Sequence, residues 1–458
     1  MALFTITAQN FVTQDIKKII YNSTLSILVW EDGSNVLKEV KVQSPVKEPA
    51  KIEKGKRNLK TIKILLGLSC NFECEYCNQR FVPHAEETNP EYVDTFINNM
   101  DSWYKGDGKV NFEFWGGEPF VYWKTFKPLA EKLKLKYPDS TMAVITNGSL
   151  LGKEKNDWLE LFEFAVSISH DGPGQHVRGP DPLNDPESKA GVIDLYKRLA
   201  PVGKLSFNSM INSKNISRVA IQEWFENFVT TEIGPEYLQY LGIGEGTFVD
   251  AYDEGGLATS LLHEEEDINY KNIAAAEIRT NKANRFGVLE QKSLNFIKGL
   301  YEGKRIEALP QKCGMDKEDN IAIDLNGNVL TCQNVSPVSH NPAGISHHIG
   351  HVSNLEAVEI KTGTHWSDRS ECPNCPVVHL CKGACFFLTG DLWEASCNNA
   401  FSDNVIVFCN TIESLTDYFP IYIDGPLRED RKDLFWIVNG KPEKLRKPKK
   451  VISIHPIQ

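Results

Sequence analysis

Three cysteines, Cys70, Cys74 and Cys77, sit close together in the stretch GLSCNFECEYCNQR, with no fourth beside them and no histidine until His84. Eight more lie toward the other end: Cys313, Cys332, Cys372, Cys375, Cys381, Cys385, Cys397 and Cys409. None occurs between 78 and 312, so the total of 11 divides naturally into a front three and two rear fours. Each iron of a cubane iron–sulfur cluster takes one protein sulfur, so eight thiolates satisfy two clusters. Three thiolates leave one iron of a third cluster open to a small molecule. Structural zinc closes a tetrahedron with four ligands, which the front triplet lacks, although the rear zone also fits a double zinc site. Disulfides are the remaining arrangement, and a reducing compartment disfavours them.

The elements around these sulfurs follow from periodicity. Residues 18–43 read as a hairpin in which KIIYNSTLSILVW and VLKEVKV flank the turn EDGSN. A basic linker follows over 44–60. From 61 to about 245, six apolar, strand-like runs alternate with amphipathic stretches. The strands are expected at 61–69, 109–117, 141–148, 164–172, 204–212 and 236–244, and helices at 91–104, 123–137 and 190–200. Repeated strand-then-helix units imply an α/β fold with a parallel sheet, whose ligand site lies at the carboxyl ends of the strands. The triplet follows the first strand and so belongs at that mouth. Residues 255–305 read as helices and connections. The cysteine-rich zone, 313–409, reads as short of long helices and therefore ordered in part by metal. The tail 413–458 contains Asn439-Gly440, which suits a tight turn.

Bulk properties narrow the class. The chain has 458 residues, 41% hydrophobic and 24% charged, enough for a large core and a second domain. A net charge of −11 excludes a general nucleic-acid binder. The basic runs at 44–60 and 441–450 read as solvated linkers or as a handle for an acidic peptide. No apolar run of membrane-spanning length is present and the start lacks a secretory signal, so the expected location is the cytoplasm with no membrane partner.

A C-x-x-x-C-x-x-C triplet after the first strand of a β/α series resembles the signature of the radical S-adenosylmethionine (SAM) enzymes. Tyr76 matches their aromatic position, and WGGEP (Trp115–Pro119), after the second strand, resembles their GGEP motif. The resemblance implies a partial (β/α)6 TIM-type barrel whose cluster chelates SAM through the open iron. By it, Gly116 and Gly117 let backbone approach the methionine ammonium, Glu118 holds the turn or that ammonium, and Tyr76 packs on adenine. SISHDGPGQHVR (Ser167–Arg178) resembles a segment of the peptide-modifying branch, in which Ser169 would contact ribose and Arg178 the SAM carboxylate. Asn147 and Gln239, expected at later strand ends, would line the pocket. For Ser169 and Asn147, plain capping of strand ends is the competing role.

The rear zone resembles the SPASM domain: Cys313, then Gly327-x4-Cys332, then Cys372-x2-Cys375-x5-Cys381-x3-Cys385, then a lone cysteine. That domain implies two auxiliary [4Fe–4S] clusters, three clusters in all, and a peptide or protein substrate. Carried over by position, Cys372, Cys375, Cys381 and Cys409 would hold one cluster and Cys313, Cys332 and Cys385 the other. Cys397 would be the eighth ligand or a free thiol; in the second case one auxiliary iron stays open and could take a substrate thiolate. The resemblance covers roughly 61–412. It divides the chain into an N-terminal hairpin extension and linker (1–60), the radical SAM barrel (61–305), the SPASM domain (306–412) and a C-terminal extension (413–458).

The implied reaction is one-electron cleavage of SAM to methionine and a 5′-deoxyadenosyl radical, which takes hydrogen from a bound peptide. A reductant such as flavodoxin or ferredoxin would supply the electron. Sulfatase-maturing enzymes of this branch, which make formylglycine, carry an Asp base directly after the second cysteine of the C…G-x4-C pair. Here that residue is Gln333, which cannot take a proton usefully; Asp324 and Asp319 are the nearby candidates to replace it. The favoured product is therefore a thioether or carbon–carbon crosslink in a ribosomally made peptide, with sulfatase maturation as the alternative. Residues 1–60 supply strands but not a complete leader-recognition domain. HHIGH (His347–His351) reads as a strand rather than a metal site. The rival class is a non-catalytic iron–sulfur or zinc scaffold.

Overall fold

The structure, a computed structural model, describes residues 2–37, 58–85, 88–359 and 363–439. The chain opens with three antiparallel strands, β1 (Leu3–Gln9), β2 (Ile16–Asn22) and β3 (Ile27–Trp30). Phe4, Ile6 and Ala8 alternate inward along β1, as a half-buried strand requires. The stretch 18–30, read above as one strand, is itself a hairpin: it turns at residues 23–26, with Ser26 at a φ of 52°. EDGSN does form a turn, closed by Trp30 N donating to Ser34 O at 2.8 Å. Beyond Leu37, the second arm and the basic linker up to Arg57 lie outside the described residues.

Six parallel strands then alternate with helices: β4 (Thr61–Leu65), α1 (Tyr92–Trp103), β5 (Asn111–Trp115), α2 (Trp123–Lys136), β6 (Thr141–Thr146), α3 (Lys153–Leu161), β7 (Ala165–Ser169), α4 (Pro186–Leu199), β8 (Leu205–Ile211), α5 (Arg218–Phe228) and β9 (Ile243–Phe248). They pair in sequence order, β4-β5-β6-β7-β8-β9. This is the expected partial barrel, and the described strands do not close it into a ring. The last strand starts later than expected, because Pro235–Tyr240 forms a short 3-10 helix in place of the first half of EYLQYLGIG. Alternate positions on each strand face the helices. Ile64, Phe112, Phe114, Val144, Val166 and Phe207 are all buried, and Phe126 of α2 packs on Phe114 with ring centroids 4.7 Å apart. The other face is more polar. Lys63 and Glu113 are registered across β4 and β5, 3.6 Å apart.

Helices α6 (Glu254–Ala258), α7 (Glu264–Arg279) and α8 (Gly287–Glu302) lead to the cysteine-rich zone. There β10 (Asn320–Asp324) adds to the large sheet in parallel beside β4, and β11 (Asn328–Leu330) and β12 (His348–His351) extend it antiparallel. The rear cysteines are thereby built onto the barrel's open edge. HHIGH is the strand anticipated. After the single turn α9 (Val378–Cys381) comes α10 (Gly390–Thr416), 27 residues long. A zone read as short of long helices therefore contains the longest helix described; it is buried on nearly every side, by polar residues such as Asn399 and Asp403 as well as apolar ones, so no amphipathic stripe marked it. β13 (Phe419–Asp424) pairs with β1, which gives the four-stranded order β13-β1-β2-β3 and joins the two ends of the chain in one sheet. A last turn, α11 (Trp436–Asn439), closes the description; the Asn439-Gly440 turn and the basic run at 441–450 fall outside it. Among the described residues no helix is long and apolar enough to cross a membrane.

A buried ion pair fastens barrel to rear zone. Arg218 at the start of α5 meets Asp403 on α10, with Tyr270 donating to the same carboxylate at 2.7 Å and Lys292 at 3.0 Å. Burial alone would raise the Asp403 pKa, but Lys292 and Arg218 outweigh it and hold the carboxyl well below the usual range. Its contribution to stability is present above the ordinary carboxylate pKa and lost only as pH falls through the depressed folded value. Asp403→Ala leaves a buried guanidinium without its counter-charge and is expected to cost about 3–5 kcal/mol, measured by denaturant unfolding at neutral pH.

Candidate active site

The triplet sits in the loop after β4, and that loop is placed by contact with the loop after β5. Gly117 N donates to Gly67 O at 3.1 Å and Glu118 N to Ser69 O at 3.0 Å. A Cβ on Gly116 would fall 2.6 Å from Gly67 O, and one on Gly117 would fall 2.3 Å from Ser69 O. The glycines are thus required by the approach of two backbones, whatever else they admit. Glu118 is buried, accepting from Phe120 N at 3.1 Å, Thr146 Oγ1 at 2.8 Å and Asn147 N at 2.7 Å. Of its two anticipated roles, it fills the first: it holds the turn and ties it to the end of β6. Asn147 Nδ2 then donates to Asn71 Oδ1 at 2.8 Å, back in the triplet loop.

A cavity of about 640 Å³ opens at the carboxyl ends of the strands. The triplet, Tyr76, Gly116, Gly117, Glu118, Asn147, Ser169 and Arg178 all line it. Tyr76 is pinned by its hydroxyl, which donates to Asp171 Oδ2 and accepts from Arg178 Nη1 at 2.8 Å. Asp171 also accepts from Met210 N at 2.9 Å and so fixes the group to β8. It lies inside the SISHDGPGQHVR segment but was not assigned a role there; its place between two assigned residues was the available signal. Asn147 lines the cavity, and its Oδ1 accepts from Ser149 N at 3.0 Å. Gln239 does not reach the cavity. It is exposed on the short helix before β9, where its amide donates to Glu236 O at 3.0 Å.

Burial and charge oppose each other at the triplet. Burial raises the pKa of Cys70, of Cys74 (up to about 11) and of Cys77, so bare thiols stay protonated at neutral pH. Arg178 opposes that shift at all three. Its own Nε is buried with no hydrogen-bond partner.

The rear cysteines separate into two sets. Cys313, Cys332 and Cys385 line the same cavity as the front triplet, together with Lys63, Gln333, Asp250 and Lys312. Burial pushes the Cys332 thiol up to about 12 and Cys385 higher, and Tyr252 Oη lies 2.6 Å from Cys385 Sγ. Cys372, Cys375, Cys381 and Cys397 surround a second space with Arg431 at its edge. This corrects the positional assignment. Cys397, one helical segment earlier on α10, completes the quartet, whereas Cys409 is fully buried in the main apolar core with no other cysteine acting on its thiol.

Asp319 and Asp324 are likewise displaced from chemistry. Asp319 precedes β10 at the end opposite the mouth, its carbonyl accepting from Lys60 N and Thr61 N. Asp324 spends its carboxylate on the β10–β11 turn, accepting from Asn326 N at 3.0 Å and from Asn328 N at 2.9 Å and Nδ2 at 2.8 Å. The carboxylates that do line the cavity, besides Glu118, are Glu245 and Asp250, which no motif flagged. Gln333 accepts from Lys63 Nζ at 3.5 Å. The histidines of HHIGH do not converge: His347 Nδ1 lies 2.6 Å from Thr331 Oγ1, while His351 Nε2 lies 2.8 Å from Asn326 O.

The donor sets can be tested against what they would hold. Among the described residues no three His, Cys, Asp or Glu side chains converge on a single-ion site. A zinc tetrahedron with Zn–S bonds near 2.3 Å needs such a point; an extended cluster, with one sulfur per iron, does not. The unpartnered Arg178 Nε beside the triplet suits a carboxylate.

A family profile described as a 4Fe-4S single cluster domain matches residues 55–178, which contain the triplet, GGEP and Arg178. The radical SAM cyclopropyl synthase TigE of Paramaledivibacter caminithermalis is 23% identical over 257 residues, covering 49% of this chain and 52% of that protein. The chain is thus similar to radical SAM enzymes. It spans about half the length of that synthase. The serine-type anaerobic sulfatase-maturating enzyme of Klebsiella aerogenes is 22% identical over 345 residues, covering 70% of the chain and 78% of that enzyme. Among solved structures, native anSMEcpe with bound AdoMet shares the fold at a TM-score of 0.52 and 16% identity, covering 78% of this chain and 99% of the other. The backbone crossing at Gly117 is the device that places the triplet. Gly117→Ala is expected to dislodge the triplet loop and abolish reductive SAM cleavage, while the rear cysteines retain their iron; iron content and 5′-deoxyadenosine yield after anaerobic reconstitution measure both.

Proposed function

We propose that this enzyme uses SAM and three [4Fe–4S] clusters to remove hydrogen from a residue of a peptide substrate, and that its product is a thioether or carbon–carbon crosslink. The observation that carries the proposal is that Cys70, Cys74 and Cys77 line the same cavity as Cys313, Cys332 and Cys385. When bound, SAM and its cluster supply a primary carbon radical able to take a hydrogen atom from an unactivated carbon.

The chain's own residues do the rest. Cys70, Cys74 and Cys77 hold the front cluster, and Arg178, kept charged by Tyr76 and Asp171 against the cost of burial, receives the SAM carboxylate. The pinned Tyr76 ring offers a face to adenine, and Ser169 a hydroxyl to ribose. Glu118 uses its oxygens on the turn, which leaves the ammonium to donate to backbone carbonyls near Gly116 and Gly117. Opposite, three cysteines without a fourth leave one position of an auxiliary cluster free toward the substrate. A substrate thiolate fits that position, which favours a thioether. Gln333 in the place of an acid argues against proton removal at the position that formylglycine formation uses. A low-potential reductant such as flavodoxin or ferredoxin is required by the chemistry.

The second reading, sulfatase maturation, is favoured by the extent of the match to the Klebsiella enzyme. Two measurements separate the possibilities. Reconstituted wild-type protein with dithionite should release 5′-deoxyadenosine, and the variant with Cys70, Cys74 and Cys77 all changed to Ala should release none. With a serine peptide from a sulfatase, an aldehyde-reactive hydrazide should label nothing; labelling would reverse the order of the two readings.

A further inference from the structure

The four-stranded sheet that joins the chain's ends carries no cysteine, yet Arg431, in the turn after its strand β13, lines the quartet's space, and Tyr21 on β2 feels the charge of Cys375. Arg431 follows β13 and is only 7% exposed. Its Nη2 donates to Asn398 Oδ1 at 2.7 Å and to Cys397 Sγ at 3.5 Å, and its guanidinium lies 4.5 Å from the centre of the Phe401 ring. Among the described residues no carboxylate forms an ion pair with it; against burial, Cys397 and Cys375 are the groups that raise its pKa, while Asp430, paired with Arg428, also feels its charge. Tyr21, on β2, is fully buried. Its hydroxyl has no hydrogen-bond partner, and Cys375 is the group that acts on it electrostatically. An orphaned buried hydroxyl costs stability unless something accepts from it, and Cys375 of the quartet is the group whose charge it feels.

Two positions thus supply, from outside the cysteine-rich zone, a desolvated cation and a spare donor. Net charge, hydrogen bonds to sulfur and solvent exposure are the levers that set an iron–sulfur potential. Uptake of one electron makes a cluster more negative, so a buried cation and a donor both favour the reduced form. We propose that the terminal sheet is a redox-tuning cap, in which Arg431 and Tyr21 raise the reduction potential of the cluster held by Cys372, Cys375, Cys381 and Cys397. The step concerned is uptake by that oxidised cluster of the one electron released when the substrate radical is oxidised; no bond of the cap is made or broken. Both residues are positioning residues, acting through the sulfurs. The inference rests on the reading that this quartet holds a cluster.

The test is an EPR-monitored redox titration of the full chain, reconstituted anaerobically, as wild type, Arg431→Gln, Arg431→Lys and Tyr21→Phe. The midpoint of one rear cluster should move to more negative potential in Arg431→Gln, move less in Tyr21→Phe, and return most of the way in Arg431→Lys. The response of the front cluster to SAM should stay as in wild type. Unshifted midpoints with full iron content in Arg431→Gln and Tyr21→Phe would overturn the cap. Should Arg431→Gln fail to fold, Tyr21→Phe decides alone, since it removes one oxygen atom from a packed ring. Cys397→Ser separates the two possible failures: a full, unchanged set of rear-cluster signals in that variant would remove the underlying reading rather than the cap.

Discussion

Two backbones meet in this protein with no room for a methyl group between them. The crossing of Gly67–Ser69 with Gly116–Glu118 fixes where the cysteine loop leaves the sheet, and other parts of the site register on it. The amide of Glu118 binds one loop while its carboxylate binds the end of β6. Asn147, at that end, reaches back to Asn71 beside Cys70. The circuit closes across three strand ends through hydrogen bonds that are mostly buried, where each is worth more than at the surface and costly to leave unmade. A thiol triplet on a free loop would have no defined geometry; here it is held by rigid elements whose own ends are tied together.

Charge placement complements that rigidity. Buried thiols resist ionisation, so three cysteines brought together at neutral pH are poor ligands until a cation compensates them. Arg178 provides part of that compensation at the front, locked by Tyr76 and Asp171, and metal must provide the remainder. At the rear, Lys63 lowers the thiols of Cys313 and Cys332 while Arg431 faces the quartet. The parallel sheet makes this possible, because the face turned away from the helices accepts polar side chains such as Lys63 and Glu113. The β10–β12 extension lets the rear cysteines share the cavity with the front ones, and the Arg218–Asp403 pair keeps the helical backing in place.

Much of this was legible in the sequence. The six barrel strands could be read from apolar runs with turn residues after them, and the triplet with GGEP located the mouth. What failed did so for identifiable reasons. The turn at residues 23–26 is Ser-Thr-Leu-Ser, without Gly, Pro, Asn or Asp, so 18–30 reads as continuous. Helix α10 is buried on nearly every side and carries no stripe. Gln239 was misplaced because proline at 235 starts a short helix where apolar periodicity suggested strand. Cys397 and Cys409 are twelve residues apart on one helix, and only packing reveals that the first turns to the quartet and the second to the core. Asp324 looked available until its turn was seen to use it. Arg431 and Tyr21 were beyond reach of any motif, since their relation to sulfur depends on β13 pairing with β1 across the whole length of the chain.

The central claim is that the front sulfurs leave one metal position free for SAM, which Arg178 and the glycine crossing then hold in place. Its most direct test is the EPR spectrum of the reduced, reconstituted protein before and after addition of SAM, recorded also for a variant lacking the rear cysteines so that only the front cluster contributes. The account predicts that SAM changes the g-values of that signal in both proteins, and that an Arg178→Gln variant needs a higher SAM concentration for the same change. A front-cluster spectrum that does not respond to SAM at any concentration would contradict it.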